Sequence, residues 1–315
     1  MIVRARPLLG TFVEIQADGL SELDGHRSID RAFDAMAEVQ RRMSFHDPAS
    51  TLSRLNRLAS HGPVRVDEWT FDVLKTAAEI HLVSHGVFDV TIAPHLQRLG
   101  FLPPAAGPAV PMAARRWSFA DVQLLPDRSV RFLHPNLRID LGGIAKGFAV
   151  DQAVAALQAA GVERGVVNAG GDLRVFGQEA FVVSIRHPAR PGTALGTLSL
   201  SNRALATSAH YFADERISGR RLGPFINPRT GRRQARLQSV SVDAPTAILA
   251  DALTKVVMLA PDDSAHVLER FGASALCVAA GRGVRCIPGG RAAFQLAAQP
   301  FFPSRRHRPA HSFNR

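Results

Sequence analysis

Apolar side chains recur at three- and four-residue intervals over residues 30–43, where Ala32, Phe33, Met36, Ala37 and Val39 share one face. This period predicts an amphipathic helix. Residues 67–84 repeat the pattern with Phe71, Leu74, Ala78 and Leu82, and residues 145–160 do so with Phe148, Val150, Ala153, Val154 and Leu157 before Gly161. Pro245 introduces a further helix over 246–259, and a shorter one is predicted over 262–271. Elsewhere the period is two. Val13 and Ile15 alternate with Phe12, Glu14 and Gln16, so Leu8 to Gln16 reads as one strand. Short apolar runs at 122–125, 130–133, 166–168, 182–185, 197–200, 205–207 and 239–242 are strand candidates. Strands outnumber helices and several are neighbours in sequence. The fold class expected is therefore α+β, with mixed or antiparallel sheets and packed helices, and not a doubly wound parallel sheet. Residues 102–114, rich in Pro and Ala, read as a surface excursion.

Composition narrows the classes further. With 46% hydrophobic and 21% charged residues over 315 positions, the chain can bury a sizeable core and is far from the disordered class. No stretch approaches the roughly 20 apolar residues of a membrane helix, so no membrane span is expected. Cys277 and Cys286 cannot make a zinc site on their own. The amino terminus shows no secretory signal, which points to a cytoplasmic protein. The net charge is +11, but it reflects arginine usage: only Lys75, Lys146 and Lys255 are lysines. Part of the excess sits in Arg305, Arg306, Arg308 and Arg315, and the rest is scattered among acids, so no nucleic-acid partner is expected. Residues 1–300 are read as a single domain and 301–315 as a basic, flexible tail.

Five short motifs carry candidate chemistry. Asp140-Leu-Gly-Gly-Ile-Ala-Lys-Gly147 stands between a strand and a helix. Its glycines permit close approach of a ligand, and a helix start with a lysine suits phosphate, although it is neither a Walker A loop nor GxGxxG. Asn168-Ala-Gly-Gly-Asp172 reads equally as a hairpin turn, and Ile226-Asn-Pro-Arg-Thr-Gly231 as a β-turn. Gly86-Val-Phe-Asp-Val-Thr-Ile-Ala-Pro94 reads as an irregular strand after a helix cap. Ala250-Asp-Ala-Leu-Thr-Lys255 places an acid early in an apolar helix, the usual place for a dipole partner. His81, His85 and His95 have only loose ligand-like spacing and read as surface or capping residues.

Taken in order, together with Leu9-Gly-Thr11, Met43-Ser-Phe-His-Asp-Pro-Ala-Ser50, Asn56 and Ala206-Thr-Ser208, these motifs resemble the ApbE family, the FAD:protein FMN transferases. The likeness runs from about Arg6 to Ala260. It implies an ApbE-like, T-fold-related architecture and an enzyme that uses FAD as substrate and magnesium as cofactor. Such an enzyme moves FMN to a Ser or Thr of an acceptor flavoprotein and releases AMP, although some members hydrolyse FAD instead and some are exported. By position, the resemblance assigns FAD contacts to Leu9, His46, Val87, Phe88, Asp89, Asp140, Lys146 and Ile226. It assigns metal ligands to Gly143 and Asp251, and places Ser208 in a flavin-lining turn.

The departures gather at the metal. The family's Thr four residues after its metal-binding Asp is here Lys255, while Thr254 falls one residue early. At i, i+4 the lysine lies beside Asp251. It offers magnesium no oxygen, so the pair Asp251 and Lys255 is expected to carry the catalytic charge or to exclude the metal. Pro224 stands where a His is common, Leu9 where Met is usual, and His46 where an aromatic ring often lies. A degenerate flavin-binding protein or an FAD pyrophosphatase with altered metal dependence is the alternative.

Overall fold

The computed structural model describes residues 1–104, 117–209, 216–217, 220–221, 224–228, 230–231, 233, 237–279, 283–290 and 294–296. The tail expected at 301–315 and most of the excursion at 102–114 lie outside these residues.

The chain opens with β1 (Ile2–Leu8) and β2 (Thr11–Asp18), then α1 (Glu22–Met43), α2 (Thr51–Leu58), β3 (Val64–Arg65), α3 (Glu68–Val83) and α4 (Ala93–Arg98). After β4 (Val122–Leu124) and β5 (Ser129–Phe132) come α5 (Ala145–Ala159), β6 (Arg164–Ala169), β7 (Asp172–Phe176), β8 (Phe181–His187), β9 (Arg190–Leu200) and β10 (Ala204–Ala209). Two short strands, β11 (Arg216–Ile217) and β12 (Arg220–Arg221), precede β13 (Leu237–Ala244), α6 (Ala247–Leu259), α7 (Ala265–Arg270), β14 (Ser274–Ala279), β15 (Gly283–Ile287) and β16 (Gln295–Leu296).

Eight strands form the main sheet in the order β1-β2-β6-β7-β10-β13-β14-β15, and every neighbouring pair is antiparallel. The near-continuous burial of β13 and β14 is the signature of a sheet covered on both faces there, whereas the period of two in β2 leaves one of its faces to solvent. Val167, Ala204, Ala206, Val240, Val242 and Cys277 point into the larger core, beneath the helices, where α5 and α6 lie on the sheet and α1 packs on α5. Their neighbours Val166, Leu173, Val175, Leu205, Leu276 and Val278 point the other way, into a second core. That core is closed by Ile185, Leu195, Leu198 and Leu200 from the three-stranded sheet β16-β9-β8. The architecture is α+β, as expected, and its sheets are antiparallel.

Two local readings are corrected. The strand expected through Leu8 to Gln16 is a hairpin, turning at Leu9 (φ 56°) and Gly10 (φ 71°). Positive φ at both corners matches the twist of the flanking strands, at a cost that leucine normally avoids. The segment after Gly86, read as an irregular strand, is instead a 3-10 turn over Val90–Ile92 running into α4. Asp89 caps that turn, its Oδ1 accepting the Thr91 N–H at 2.8 Å and the Thr91 hydroxyl at 2.7 Å.

Candidate functional site

Helices α5 and α6 cross where α5 has no room for a side chain at Gly147. A Cβ on Gly147 would lie 2.1 Å from the Ala247 carbonyl oxygen and 2.8 Å from the Asp251 Cβ. The crossing is fixed electrically as well. Asp151 of α5 reaches across to accept the Ala247 and Ile248 N–H groups at 2.9 and 2.8 Å, capping the bare start of α6, and pairs with Arg174 at 2.7 Å. Burial raises the Asp151 carboxyl above its ordinary range, against the opposing pull of Arg174 and the two N–H groups. In return, Gly147 in the first turn of α5 donates its N–H to Asp251 Oδ2 at 3.0 Å.

Asp251 has no solvent exposure. Its other oxygen is taken by the Lys255 ammonium, which also donates to the Asp251 carbonyl at 3.0 Å. The neighbouring hydroxyl, Thr254 Oγ1, points away from the carboxylate: it bonds the Asp251 carbonyl at 2.6 Å and the Ser208 hydroxyl at 2.7 Å. A second lysine–acid pair lies close by. Lys146 Nζ is 2.9 Å from Asp172 Oδ2 at the start of β7. Burial lifts the Asp172 carboxyl, and the Asp251 charge lifts it further, against the two lysines. Burial works to lower the Lys146 ammonium, but Asp172 and Asp251 outweigh it and the net shift is upward. Two acids and two lysines thus form one alternating cluster at the start of α5.

In front of this cluster runs a cleft. It is lined by Val87, Phe88 and Asp89, by Asp140 and Gly143, by Ile226 with its neighbours Pro224, Phe225 and Pro228, and by Lys255. Several backbone contacts assemble it. Asn56 clamps the irregular segment before Asp140 with both ends of its amide, donating to the Ile139 carbonyl and accepting the Ile139 N–H, each at 2.9 Å. The Asp140 N–H then donates to the Val90 carbonyl at 2.8 Å, tying this loop to the 87–90 segment. His81 Nδ1 sits 3.0 Å from the Phe88 carbonyl. Asn227 accepts the Thr230 N–H at 3.1 Å, which holds the turn after Ile226. Burial pushes the Asp140 carboxyl up to about 6, partly offset by the Gly142 N–H and by His46.

The structure therefore brings Val87, Phe88, Asp89, Asp140, Gly143, Ile226 and Lys255 to one cleft, with Asp251 buried behind Lys255 and Lys146 beside them in the cluster. His46 is close enough for its charge to act on Asp140. Leu9 lies further back, on the β1–β2 turn, where its N–H donates to Gln40 Oε1 at 2.8 Å. Its neighbour Thr11 abuts Gly170, where a Cβ would be 2.4 Å from the Thr11 hydroxyl. Sequence reasoning quoted Asp172 within a turn but did not place it at the site. It did not single out Asp151, Phe225 or the Ser208–Thr254 contact.

The donor set does not suit magnesium. That ion requires near-octahedral oxygen at about 2.1 Å. Here one Asp251 oxygen is held by a backbone N–H and the other by an ammonium, and the nearest hydroxyl is turned to Ser208. The Lys255 stem lies across Gly143, its Cε 3.6 Å from where a Cβ would stand. Among the described residues, no three His, Cys, Asp or Glu side chains group around a metal position.

The ApbE family model matches residues 9–277, and the chain belongs to that family. A curated relative from Klebsiella pneumoniae, named FAD:protein FMN transferase, is 27% identical over 84% of this chain and 80% of its own length. One of the same name from Rhodobacter capsulatus is 30% identical over 81% of this chain and 51% of its own. Among solved structures, the ApbE protein of Thermotoga maritima superposes with a TM-score of 0.80 at 26% identity, covering 90% of this chain and 96% of its own. The flavin transferase ApbE of Vibrio cholerae does so at 0.74 and 26%, covering 91% and 96%.

Proposed function

We propose that this chain is a flavin transferase that takes FAD as substrate and moves its FMN half to a Ser or Thr hydroxyl of an acceptor protein. The observation that carries this reading is the convergence of six of the residues matched to the family's FAD and metal positions on one cleft, with Lys255 beside them, backed by the two lysine–acid pairs. The acceptor oxygen bonds to the phosphorus of the FMN half and the bridging P–O bond breaks. AMP leaves with the bridging oxygen, and the hydroxyl proton is released. Negative charge on the pyrophosphate oxygens rises during this exchange, so nearby fixed cations favour it. Phe88 and Phe225 offer apolar surface to the flavin ring, and Asp140 offers an acceptor to a donor on the ligand. The acceptor hydroxyl is the nucleophile, so this chain supplies none.

The test is to incubate the protein with FAD and a Ser/Thr acceptor peptide. Release of AMP in step with covalent, fluorescent labelling of the peptide is the expected result. AMP with free FMN and no labelled peptide would identify a hydrolase; no AMP under any condition would defeat the enzymatic reading. Among the described residues, no helix is long and apolar enough to cross a membrane.

A further inference from the structure

We infer that the Lys255 ammonium fills the cation seat of this site, so that the chain binds FAD and handles its pyrophosphate without a bound divalent metal. The inference rests on the transferase reading above and identifies which group supplies its positive charge.

Three observations carry it. The Asp251 carboxylate, the buried acid of the site, has both oxygens engaged within the chain, one by the Gly147 N–H at 3.0 Å and one by Lys255. An ammonium has three donors. Lys255 uses one on the Asp251 carboxylate and one on the Asp251 carbonyl at 3.0 Å, which leaves the third for a ligand in the cleft that its side chain lines. Finally, the cluster already balances: Asp172 and Asp251 face Lys146 and Lys255. A dication added beside Asp251 would meet an ammonium in direct contact with the same carboxylate, and like charges this close repel strongly in a partly buried site. Lysine is also held in place by its backbone. It projects from α6 one turn after Asp251, and its stem passes over Gly143, the Lys255 Cε standing 3.6 Å from where a Cβ would lie.

The experiment is calorimetric. Wild type, Lys255→Thr and Lys255→Arg are stripped with EDTA, checked for native circular dichroism, and titrated first with magnesium chloride alone and then with FAD in the presence and absence of magnesium. The expected wild type gives no magnesium heat, and its FAD affinity changes less than twofold on adding the metal. Lys255→Thr is expected to bind FAD at least tenfold more weakly without metal, to bind magnesium, and to recover FAD affinity when magnesium is present. Lys255→Arg keeps the charge and is expected to remain metal-indifferent. Magnesium binding by the wild type, or a tenfold or greater gain in its FAD affinity with metal, overturns the inference. So does a Lys255→Thr protein that binds FAD as tightly as wild type without metal. A wild type that binds FAD indifferently to metal but releases no AMP defeats the transferase reading and leaves the assignment of Lys255 standing.

Discussion

Gly147 and Ala247 touch backbone to backbone, and the closeness of that crossing places Asp251 within hydrogen-bond reach of the first turn of α5. A methyl group at Gly147 would have to displace backbone, not the end of a flexible side chain. Overpacking of this kind costs about 1–3 kcal/mol, and the rigid neighbour puts Gly147→Ala toward the upper end. The urea midpoint is expected to fall without a change in its slope. FAD affinity is expected to fall too, because parting the helices breaks the Gly147–Asp251 contact that holds the charge cluster. A Gly161→Ala control sits at a helix end with open space except for a contact at 3.8 Å. Its strain comes from its positive φ alone, so it is expected to lower stability and leave FAD affinity intact.

Asp151 tests a different part of the same crossing. Truncation to Ala removes the cap from two N–H groups at the start of α6 and strips Arg174 of its partner. Breaking a buried pair by removing one member costs about 3–5 kcal/mol, the cap included. Asp151→Asn is expected to cost less, since its carbonyl still accepts one of the N–H groups. In a double-mutant cycle by chemical denaturation, Asp151→Ala and Arg174→Leu are expected to be non-additive by at least about 1 kcal/mol. Additive losses would show that the cap, and not the ion pair, carries the effect.

What could be read from the chain before folding follows from the range of each interaction. The helix at 67–84 was legible because its caps are local: Asp67 accepts the Thr70 N–H at 3.0 Å, and Ser84 closes the far end. The first two turns of α1 were not, because Gly25 breaks the apolar period. A Cβ at that position would lie 2.3 Å from the Ile2 Cδ1, the far end of a side chain. The Asp251–Lys255 pair was visible from a one-turn spacing on one helix. The Lys146–Asp172 pair joins a helix to a strand 26 residues on, so it depends on sheet order. Asp151 is polar in an apolar helix, and only its neighbour α6 distinguishes a buried cap from a solvated face.

Asn56 is the remote support of Asp140. Its two bonds to Ile139 are buried and span 83 positions of the chain. Asn56→Ala leaves a backbone N–H and a carbonyl unsatisfied, at a cost of about 1–3 kcal/mol each where water cannot enter. The functional consequence expected is a weaker affinity for FAD, because the Asp140 loop loses its anchor. Fluorescence titration of the flavin would check this. Asn56→Gln, with the same amide on a longer stem, is expected to recover part of the stability and little of the affinity.

Asp140 gives the protein a pH dependence whose sign can be worked out. Its carboxyl ordinarily titrates at 3.8 and is pushed up to about 6 in the fold, by burial first. The folded chain therefore holds this proton more tightly than the unfolded one. The group favours folding most below pH 3.8, that advantage shrinks as pH rises from 3.8 through about 6, and above 6 the folded state carries the full burden of a poorly solvated anion. Raising a carboxyl this far corresponds to roughly 3 kcal/mol, and the partial access of solvent to this side chain brings the expected effect nearer to about 1 kcal/mol. Asp140→Asn, which removes the charge and keeps the shape, is expected to raise the urea midpoint at pH 7.5 and to leave it unchanged at pH 3.5. A ligand donor facing Asp140 would reverse the preference for the anion: FAD affinity in the wild type should then fall by about tenfold per pH unit below 6, and the Asn variant should bind more weakly with no such slope. Equal midpoints for the two proteins at pH 7.5 would show that the anion is well solvated in the cleft.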